Sequence, residues 1–362
     1  MAAEPVQRRL QFVLDEYQIY PNDNVTLCYF GMANEVFIVP TKEGKYVLKN
    51  CFKSNTIELI SNEIALIEHL NRHGCPTPKI VPTKAGKPFL DFDGEIYLMT
   101  EYCPDQTYNW SSDIPLKAHR ETVHAQADFH NATQNFVEPN PGLRGEFLAM
   151  GESREWLNEI DAQLAEIEAT RKSVGQMAEL VPRLTALVDR LESEMSQLDL
   201  TPLVKCYIHG DLHCFNLFYD QENNYSSVID FDFSRYDHRL MDIYWSSRIL
   251  YFREMRKRFT IEELKSDHFE PPEAVVEDIL YGNWKMIIEE YRRHAELPAQ
   301  ELALIHLFVK AVPLYIMKYF NFTNSEAECL EHIDWFEWEL RQIDVASERL
   351  QAVIERVLHE LN

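Results

Sequence analysis

Alternating apolar and polar residues between Asn24 and Cys51 predict antiparallel β-strands. The segments VTLCYF, EVFIVP and KYVLKN alternate in this way, and turns at residues 31–34 and 42–44 separate them. A period of two places successive side chains on opposite faces of a sheet. Further on, Pro88–Phe92 and Glu95–Tyr102 predict another hairpin, turned at Asp93-Gly94. The first hundred residues therefore indicate a small antiparallel sheet.

A helical period interrupts these strands between Asn55 and His73. The apolar residues that recur there every three or four positions are Ile57, Ile60, Ile64, Ile67 and Leu70. This spacing predicts an amphipathic helix that ends at Gly74. Glu63 lies at the edge of the apolar stripe, where an unpaired carboxylate would be costly. We therefore expect a cationic partner for Glu63, and Lys49 at the end of the third strand is our choice.

Helical periodicity prevails after residue 103. The pattern predicts a helix at Leu116–Asn131. In the charged segment at about residues 152–198 it predicts a long helix, Val174–Leu198, which packs on an earlier helix, Glu155–Arg171. The remainder from Met241 is mainly helical as well. We predict an α+β fold with two lobes: a small strand-rich lobe at residues 1–103 and a large, mainly helical lobe at residues 104–362, with the segment at 152–198 as a helical insertion.

Composition limits the classes of partner. The 362 residues include 59 Asp and Glu but only 35 Lys and Arg, so the net charge is −24. The electrostatic field of so negative a protein repels nucleic acid and anionic membranes, and we expect neither as a partner. It would favour a cationic substrate, although acidity as a solubility device is the stronger interpretation. The most apolar stretch, Leu302–Met317, is too interrupted by polar residues to suggest a membrane span.

Cysteine usage indicates a reducing compartment. The seven cysteines are scattered without a CxxC pair or regular spacing. This pattern favours free thiols in the cytoplasm over a disulfide framework or a zinc site. His124 and His130, in the helix at 116–131, have no cysteine or paired ligand nearby in sequence, and we interpret both as structural. The sequence carries no indication of the oligomeric state.

The stretch Cys206–Asp232 carries the candidate chemistry. Two short apolar runs predict strands, and Asp211 and Asp230 follow one run each, with Asn216 five residues after Asp211. Phosphoryl transfer from ATP needs a carboxylate that orients a hydroxyl and accepts its proton, and it needs oxygen ligands for magnesium. Kinase signatures contain an Asp, an Asn five residues later and a second Asp, in that order. The sequence thus indicates a phosphotransferase.

These motifs, HGDLHCFN at 209–216 and IDFD at 229–232, resemble the aminoglycoside phosphotransferase and choline kinase superfamily. Bacterial spore-coat kinase-like and homoserine-kinase-like members are the most similar, because DFHNAT at 128–133 resembles a helix that they share. The resemblance implies a protein-kinase-like fold and Mg²⁺ with ATP as the co-substrate. It makes Asp211 the catalytic base, and it makes Asn216 and Asp230 the magnesium ligands.

The resemblance also suggests roles outside these motifs. It implies that Lys49, fixed by Glu63, reaches the ATP phosphates under a hairpin loop containing Gly31 and Asn34. It places the adenine-binding hinge near Glu101 and Cys103. His209 and Asp242 are implied to support the catalytic loop, with an ordinary helix N-terminal residue as the equal alternative for Asp242, and Asp232 is a further candidate metal contact.

The resulting hypothesis is transfer of the γ-phosphate of Mg-ATP to a hydroxyl of a small molecule of the aminoglycoside, choline or homoserine type. Some aromatic residues of the C-terminal helices are expected to lie in the core, and others would wall the acceptor pocket together with acids such as Glu289 or Glu337. A spore-coat or scaffold-type protein that keeps the fold and acts by binding is the alternative. Phosphorylation of protein Ser or Thr is less favoured, because no activation segment follows Asp230.

Overall fold

The computed structural model describes residues 3–28, 34–51, 56–109, 112–167, 171–266, 269–318, 320, 322 and 325–361. Near the N-terminus it contains a five-stranded sheet of order β1-β2-β3-β5-β4, in which every neighbouring pair is antiparallel. The strands are β1 Thr26–Cys28, β2 Glu35–Pro40, β3 Lys45–Asn50, β4 Leu90–Phe92 and β5 Glu95–Glu101. The predicted small antiparallel sheet is confirmed.

Register in this sheet positions Lys49. On the central strand β3, Lys49 lies opposite Val36 of β2 and Leu98 of β5. The hairpin between β4 and β5 turns at Asp93 and Gly94, which both have positive φ (56° and 79°), as a tight two-residue turn requires. Because both neighbours of β3 are paired along its length, the backbone that carries Lys49 is firmly fixed.

The predicted helix after the third strand is present as α2, Ile57–Arg72. Thr56 caps its N-terminus by accepting a hydrogen bond from the N–H of Leu59, and this side-chain acceptor satisfies an otherwise unpaired donor. Ile60 and Ile64 are buried in one apolar cluster with Leu98 of β5. The same helix buries Glu63, so packing of α2 on the sheet brings Glu63 towards β3.

The rest of the chain is mainly helical, as predicted. Its helices are α3 Leu116–Thr133, α4 Gly151–Glu166, α5 Lys172–Met195, α6 Leu240–Arg258, α7 Ile261–Lys265, α8 Glu273–His294, α9 Ala299–Leu302, α10 Ile305–Met317 and α11 Glu326–Leu361. The sheet side has one more helix, α1 Ala3–Glu16, which the sequence did not predict. Helices α4 and α5 pack on each other, and both belong to the large core cluster that includes α8, α10 and α11. The segment at about 152–198 is therefore a helical hairpin built into that core.

In the described part of the helical region, four short strands interrupt the helices. Their bounds are β6 Lys205–Ile208, β7 Leu217–Tyr219, β8 Tyr225–Val228 and β9 Arg235–His238. The sequence predicted β6 and β8, but it missed their antiparallel partners: β6 pairs with β9, and β7 pairs with β8. The loops after β6 and after β8 carry the two candidate acidic residues. Among the described residues, none of the helices has both the length and the apolar character that a bilayer span requires.

Candidate active site

The loop after β6 lies against the loop after β8 with almost no space between them. Gly210 has a φ of +80°, and a Cβ atom there would lie 2.4 Å from the main-chain oxygen of Phe233. Such a contact is too short for any side chain, so glycine is required for both reasons. His209 adds a second link, because its Nε2 lies 2.9 Å from the main-chain oxygen of Ile229. The two loops are therefore held in one fixed relation.

The carboxylate of Asp211 lies in a network of nitrogen atoms. The Nδ2 of Asn216 donates to its Oδ2 at 3.0 Å and to the Asp211 main-chain oxygen at 2.9 Å. On the other side, the indole Nε1 of Trp245 donates to Oδ1 at 2.5 Å, and the Nε2 of His213 lies 3.3 Å from the same oxygen. The carboxylate is thereby fixed in orientation.

These contacts also set the ionisation state of Asp211. Burial alone would raise the pKa of this carboxyl, but the charge and hydrogen bond of His213 oppose the effect, with smaller help from His209 and Trp245. The net result is a pKa below the usual value, since interactions that favour the charged form outweigh desolvation. Asp211 is therefore ionised at neutral pH, as an acceptor of a hydroxyl proton must be.

Asp242, at the start of α6, is hydrogen-bonded to the loop that follows β6. Its carboxylate accepts hydrogen bonds from the main-chain N–H groups of His209 at 2.9 Å and Gly210 at 2.8 Å. The Nε2 of His130 on α3 lies 3.1 Å from the same carboxylate, and Gln126 donates to the main-chain oxygens of Leu212 and Asp242, each at 2.9 Å. Burial lowers the pKa of His209. These contacts agree with the supporting position implied for Asp242, whereas its effect on catalysis stays a prediction.

Asp230 lies in a concentration of acidic groups. It has a positive φ of 70°, a strained conformation for a residue with a side chain. Its pKa is raised to about 8, first by burial and then by the negative charge of Asp232, with Asp211 and Glu63 adding to the effect and Lys49 opposing it. Excess negative charge among oxygen ligands is the environment that a hard divalent cation neutralises. The donor set of Asp230, Asn216 and Asp232 therefore fits magnesium.

Lys49 joins the sheet to this acidic cluster. Its Nζ lies 3.1 Å from Oε1 of Glu63, which is the contact expected from the sequence, and it also pairs with Asp232. Burial would lower the pKa of Lys49, but Glu63 and Asp232 more than reverse this and raise it well above its ordinary value. The Nδ2 of Asn34, directly before β2, donates to Asp232 as well. Of the predicted loop above the phosphates, Gly31 lies outside the described residues.

The predicted hinge residues lie at the end of β5. Glu101 is the last residue of the strand, opposite Tyr46 of β3, and its main-chain N–H donates to the oxygen of Lys79 at 2.9 Å. Its side chain is exposed, and Cys103, two residues later, is partly buried. Their part in binding adenine stays a prediction.

Sequence reasoning did not identify three contacts of this site. Trp245 was seen only as one of many C-terminal aromatic residues, although it follows Asp242 by three positions on one helix and therefore shares a face with it. His213 lies inside the motif, but its contact with Asp211 depends on the turn of the loop. The guanidinium of Arg144 donates to the main-chain oxygen of Asp232, and no local pattern in the sequence predicts this contact.

A small cleft of about 80 Å³ lies between α6, α8, α10 and α11. Its lining includes Tyr244, Arg248, Phe252, Trp338 and Glu339. Arg248 pairs with Glu339, and its guanidinium lies over the rings of Trp245, at 5.4 Å, and Phe252, at 4.6 Å. Trp245 thus contacts both Asp211 and a residue of the cleft. Glu337, one of the acids suggested for a pocket from the sequence, instead pairs with Arg183 at 2.6 Å.

Comparison with solved structures identifies the fold. An aminopropanol kinase associated with a microcompartment superposes with a TM-score of 0.69 at 18% identity, over 96% of this chain and 99% of that one. An amicoumacin kinase in complex with AMP-PNP, Ca²⁺ and Ami gives 0.66 at 17% identity, over 94% and 93%. A spectinomycin phosphotransferase in complex with ADP and spectinomycin gives 0.64 at 13% identity, over 95% and 98%. The predicted two-lobed, kinase-like fold is confirmed.

Sequence comparison agrees with the structural comparison. A homoserine kinase of Caulobacter vibrioides is 24% identical over 214 residues, which are 59% of this chain and 61% of the relative. The matched region thus spans about three fifths of the length of that curated relative. The model of the phosphotransferase enzyme family matches residues 29–274, a range that includes Lys49, Asp211, Asn216 and Asp230. On this evidence, the chain belongs to the phosphotransferase enzyme family.

Proposed function

We propose that this protein transfers the γ-phosphate of Mg-ATP to a hydroxyl group of a small molecule that carries an amine. The observation that supports this most directly is the convergence of Lys49, Asp230, Asn216 and Asp211 on one acidic site between the sheet and the helical region. A cation for phosphates, oxygen ligands for a metal and an ionised carboxylate are the components that phosphoryl transfer requires. Residues 1–103 would form the nucleotide-binding lobe, and residues 104–362 would supply the base and the acceptor site.

The proposed division of labour follows from the contacts of each residue. Asp211, oriented by Asn216 and Trp245, would accept a hydrogen bond from the acceptor hydroxyl and take its proton as the oxygen attacks phosphorus. Lys49, held by Glu63, would contact the phosphates after Asp232 releases it. Asn216 and Asp230 would hold magnesium, which supplies positive charge against the phosphate oxygens when bound.

Electrostatics of the cleft beside Trp245 favours an acceptor with an amine. Phe252 and Trp338 contribute aromatic rings to its lining, and Glu339 contributes a carboxylate; both kinds of group attract cations. Burial raises the pKa of Glu339, although Arg248 and its hydrogen bond oppose the shift. Glu339 is already paired with Arg248, and an ammonium group of the acceptor would share this carboxylate with the guanidinium. The net charge of −24 acts in the same direction, and amino-group acceptors appear in the names of the aminopropanol and homoserine kinases.

A cytoplasmic location fits this function, because ATP is abundant there. All seven cysteines lie in the described part of the chain, and none forms a disulfide. Free thiols are the usual state of proteins in a reducing compartment.

The test is ADP release from Mg-ATP with a panel of acceptors: aminoglycosides, choline, ethanolamine, aminopropanol, homoserine, neutral sugars and a Ser/Thr protein. We expect turnover with a hydroxyl compound that has an amine and loss of turnover in Asp211→Asn, which should still bind Mg-ATP. Glu339→Gln should raise the KM for that acceptor, whereas Glu337→Gln serves as the matched control and should not.

Three outcomes would contradict the proposal. Turnover confined to neutral sugars would refute the proposal that the acceptor carries an amine. Asp211-dependent incorporation of phosphate into protein would refute the proposal that the acceptor is a small molecule. Absence of both turnover and nucleotide binding would favour the binding function of a spore-coat or scaffold-type protein.

A further inference from the structure

A group of histidine and carboxylate side chains lies between α3 and α8, away from the acidic site. His124 and Asp128 are one turn apart on α3, and His294 is the last residue of α8. One potential ligand atom from each of the three residues lies within 4.8 Å of the others. The imidazole rings of His124 and His294 stack with centroids 3.7 Å apart and an interplanar angle of 19°. We propose that these three residues bind one divalent transition-metal ion of the zinc type.

The outer contacts of the two imidazoles support metal binding. In metal sites, the ring nitrogen that does not bind the ion usually contacts a carboxylate, which fixes the ring orientation. Here the Nδ1 of His124 lies 3.4 Å from Oε2 of Glu121, and the Nε2 of His294 lies 3.3 Å from Oε1 of Glu290. Each histidine therefore has one nitrogen in contact with a carboxylate that is not among the proposed ligands. Nε2 of His124 and Nδ1 of His294 are the atoms assigned to the ion.

The carboxylate ligand is held in place as well. Tyr225 on β8 donates its hydroxyl to Oδ2 of Asp128, and Nε2 of His124 lies 3.3 Å from the same oxygen. The C-terminus of α8 is fixed to α3, because Nδ2 of Asn131 donates to the main-chain oxygen of His294 at 2.9 Å. Contacts from three elements therefore hold these side chains together. Because an imidazole nitrogen binds a metal in the plane of its ring, the two stacked rings must rotate out of their parallel arrangement before both can bind one ion.

The ligand types select the class of ion. Two imidazoles and one carboxylate suit zinc and its first-row neighbours, whereas magnesium and calcium prefer oxygen ligands only. The three residues are each partly exposed, so water can complete the coordination. Positive charge near the site comes from Arg120 and Arg293, and both pair with Glu290.

A bound ion would stabilise the helix that supports the candidate catalytic loop. The opposite face of α3 carries Gln126 and His130, which contact Leu212 and Asp242. Linking α3 to α8 through a metal would resist unfolding of this support. The proposed role is structural, and the site is separate from the magnesium ligands Asp230 and Asn216.

The experiment measures binding of Co²⁺ and Zn²⁺ to the full chain in excess Mg²⁺, by visible absorption of Co²⁺ and by calorimetry. We expect one tight equivalent in the wild type, at least tenfold weaker binding in His124→Gln and His294→Gln, and unchanged binding in Asp230→Asn. His73→Gln is the matched control, because His69 and His73 also stack, at 3.9 Å, but their ring nitrogens contact the main-chain oxygens of Ala132 and His69.

A second measurement separates ligation from folding. Zn²⁺ should raise the Tm of the wild type and of His73→Gln but not that of His294→Gln, while the Tm values without metal stay similar. Equal Zn²⁺ affinity in the wild type and His294→Gln would overturn the proposal. So would loss of the tight equivalent in His73→Gln or in Asp230→Asn.

Discussion

Replacing Trp245 with phenylalanine tests whether the indole adjusts the proposed base. The substitution keeps an aromatic ring on α6 but removes the N–H that lies 2.5 Å from Oδ1 of Asp211. His213 and Asn216 would remain in contact with the carboxylate. The change therefore removes one hydrogen bond to the ionised form and leaves a smaller aromatic ring beside Arg248.

The magnitude follows from the strength of that hydrogen bond. A hydrogen bond to a charged group contributes about 1.5–3 kcal/mol, and each 1.36 kcal/mol corresponds to about one pKa unit. Because the indole stabilises the charged carboxylate, its loss should raise the pKa of Asp211, and the hydrogen-bond energy corresponds to a change of about tenfold or more in the ionisation equilibrium. The fraction of ionised base at acidic pH then falls, so the acidic limb of the rate profile moves to higher pH.

The assay is kcat against pH at saturating Mg-ATP and acceptor, for the wild type and Trp245→Phe. Trp156→Phe is the matched control: Trp156 is buried, and its indole nitrogen has no hydrogen-bond partner among the described residues. An unmoved acidic limb in Trp245→Phe would refute the reasoning, and an equal movement in Trp156→Phe would show that the effect is not specific to the contact with Asp211.

Three further predictions concern the groups around this base. Asp230→Asn should weaken binding of Mg-ATP in calorimetry. The pKa of Asp230 is raised to about 8 in the native protein, so this carboxyl keeps its proton at pH values where the unfolded chain has lost it. The stability of the metal-free wild type should therefore fall as the pH rises from about 4 to about 8. Melting curves of Asp230→Asn should show a smaller fall over this range, and a fall equal to that of the wild type would contradict the prediction. Asp242→Asn removes a charged acceptor of the N–H groups of His209 and Gly210. We expect urea titration to show that the free energy of unfolding falls by about 2–4 kcal/mol. A fall below about 0.5 kcal/mol, which is typical of a surface site, would contradict this prediction. Glu63→Gln should raise the KM for ATP about tenfold, equivalent to about 1.4 kcal/mol, because Lys49 loses the partner that orients it. The change in kcat should be smaller. An unchanged KM would show that Asp232 alone is sufficient to orient Lys49.

Local patterns in the sequence were sufficient for much of the fold. The strands around Lys49 and the helix that carries Glu63 follow from periods of two and 3.6, which depend only on which face is buried. The contact between Lys49 and Glu63 was also predictable, because a carboxylate at the edge of an apolar stripe needs a cation. The motif spacing placed Asp211 and Asn216 after one predicted strand and Asp230 after the other, which is where the structure has them.

Other features depend on contacts between distant segments. Strands β7 and β9 have three and four residues, too short to show a period. The partner of His124 is His294, far along the chain, and nothing near either residue signals the pairing. Glu339 reaches the cleft only because α11 packs against the other helices there, so a choice between neighbouring acids such as Glu337 and Glu339 requires the helix orientation.

The contact of Gly210 with Phe233 has a consequence for how this chain can change in evolution. The distance between the loops that carry Asp211 and Asp230 is set by main chain against main chain, so few side-chain substitutions can adjust it. The cleft that holds Glu339 is built from side chains on separate helices, where many substitutions are compatible with folding. New acceptor preferences can therefore arise by mutation in the helical region while the reacting groups keep their geometry, and in a saturation library Gly210 should be among the least tolerant positions.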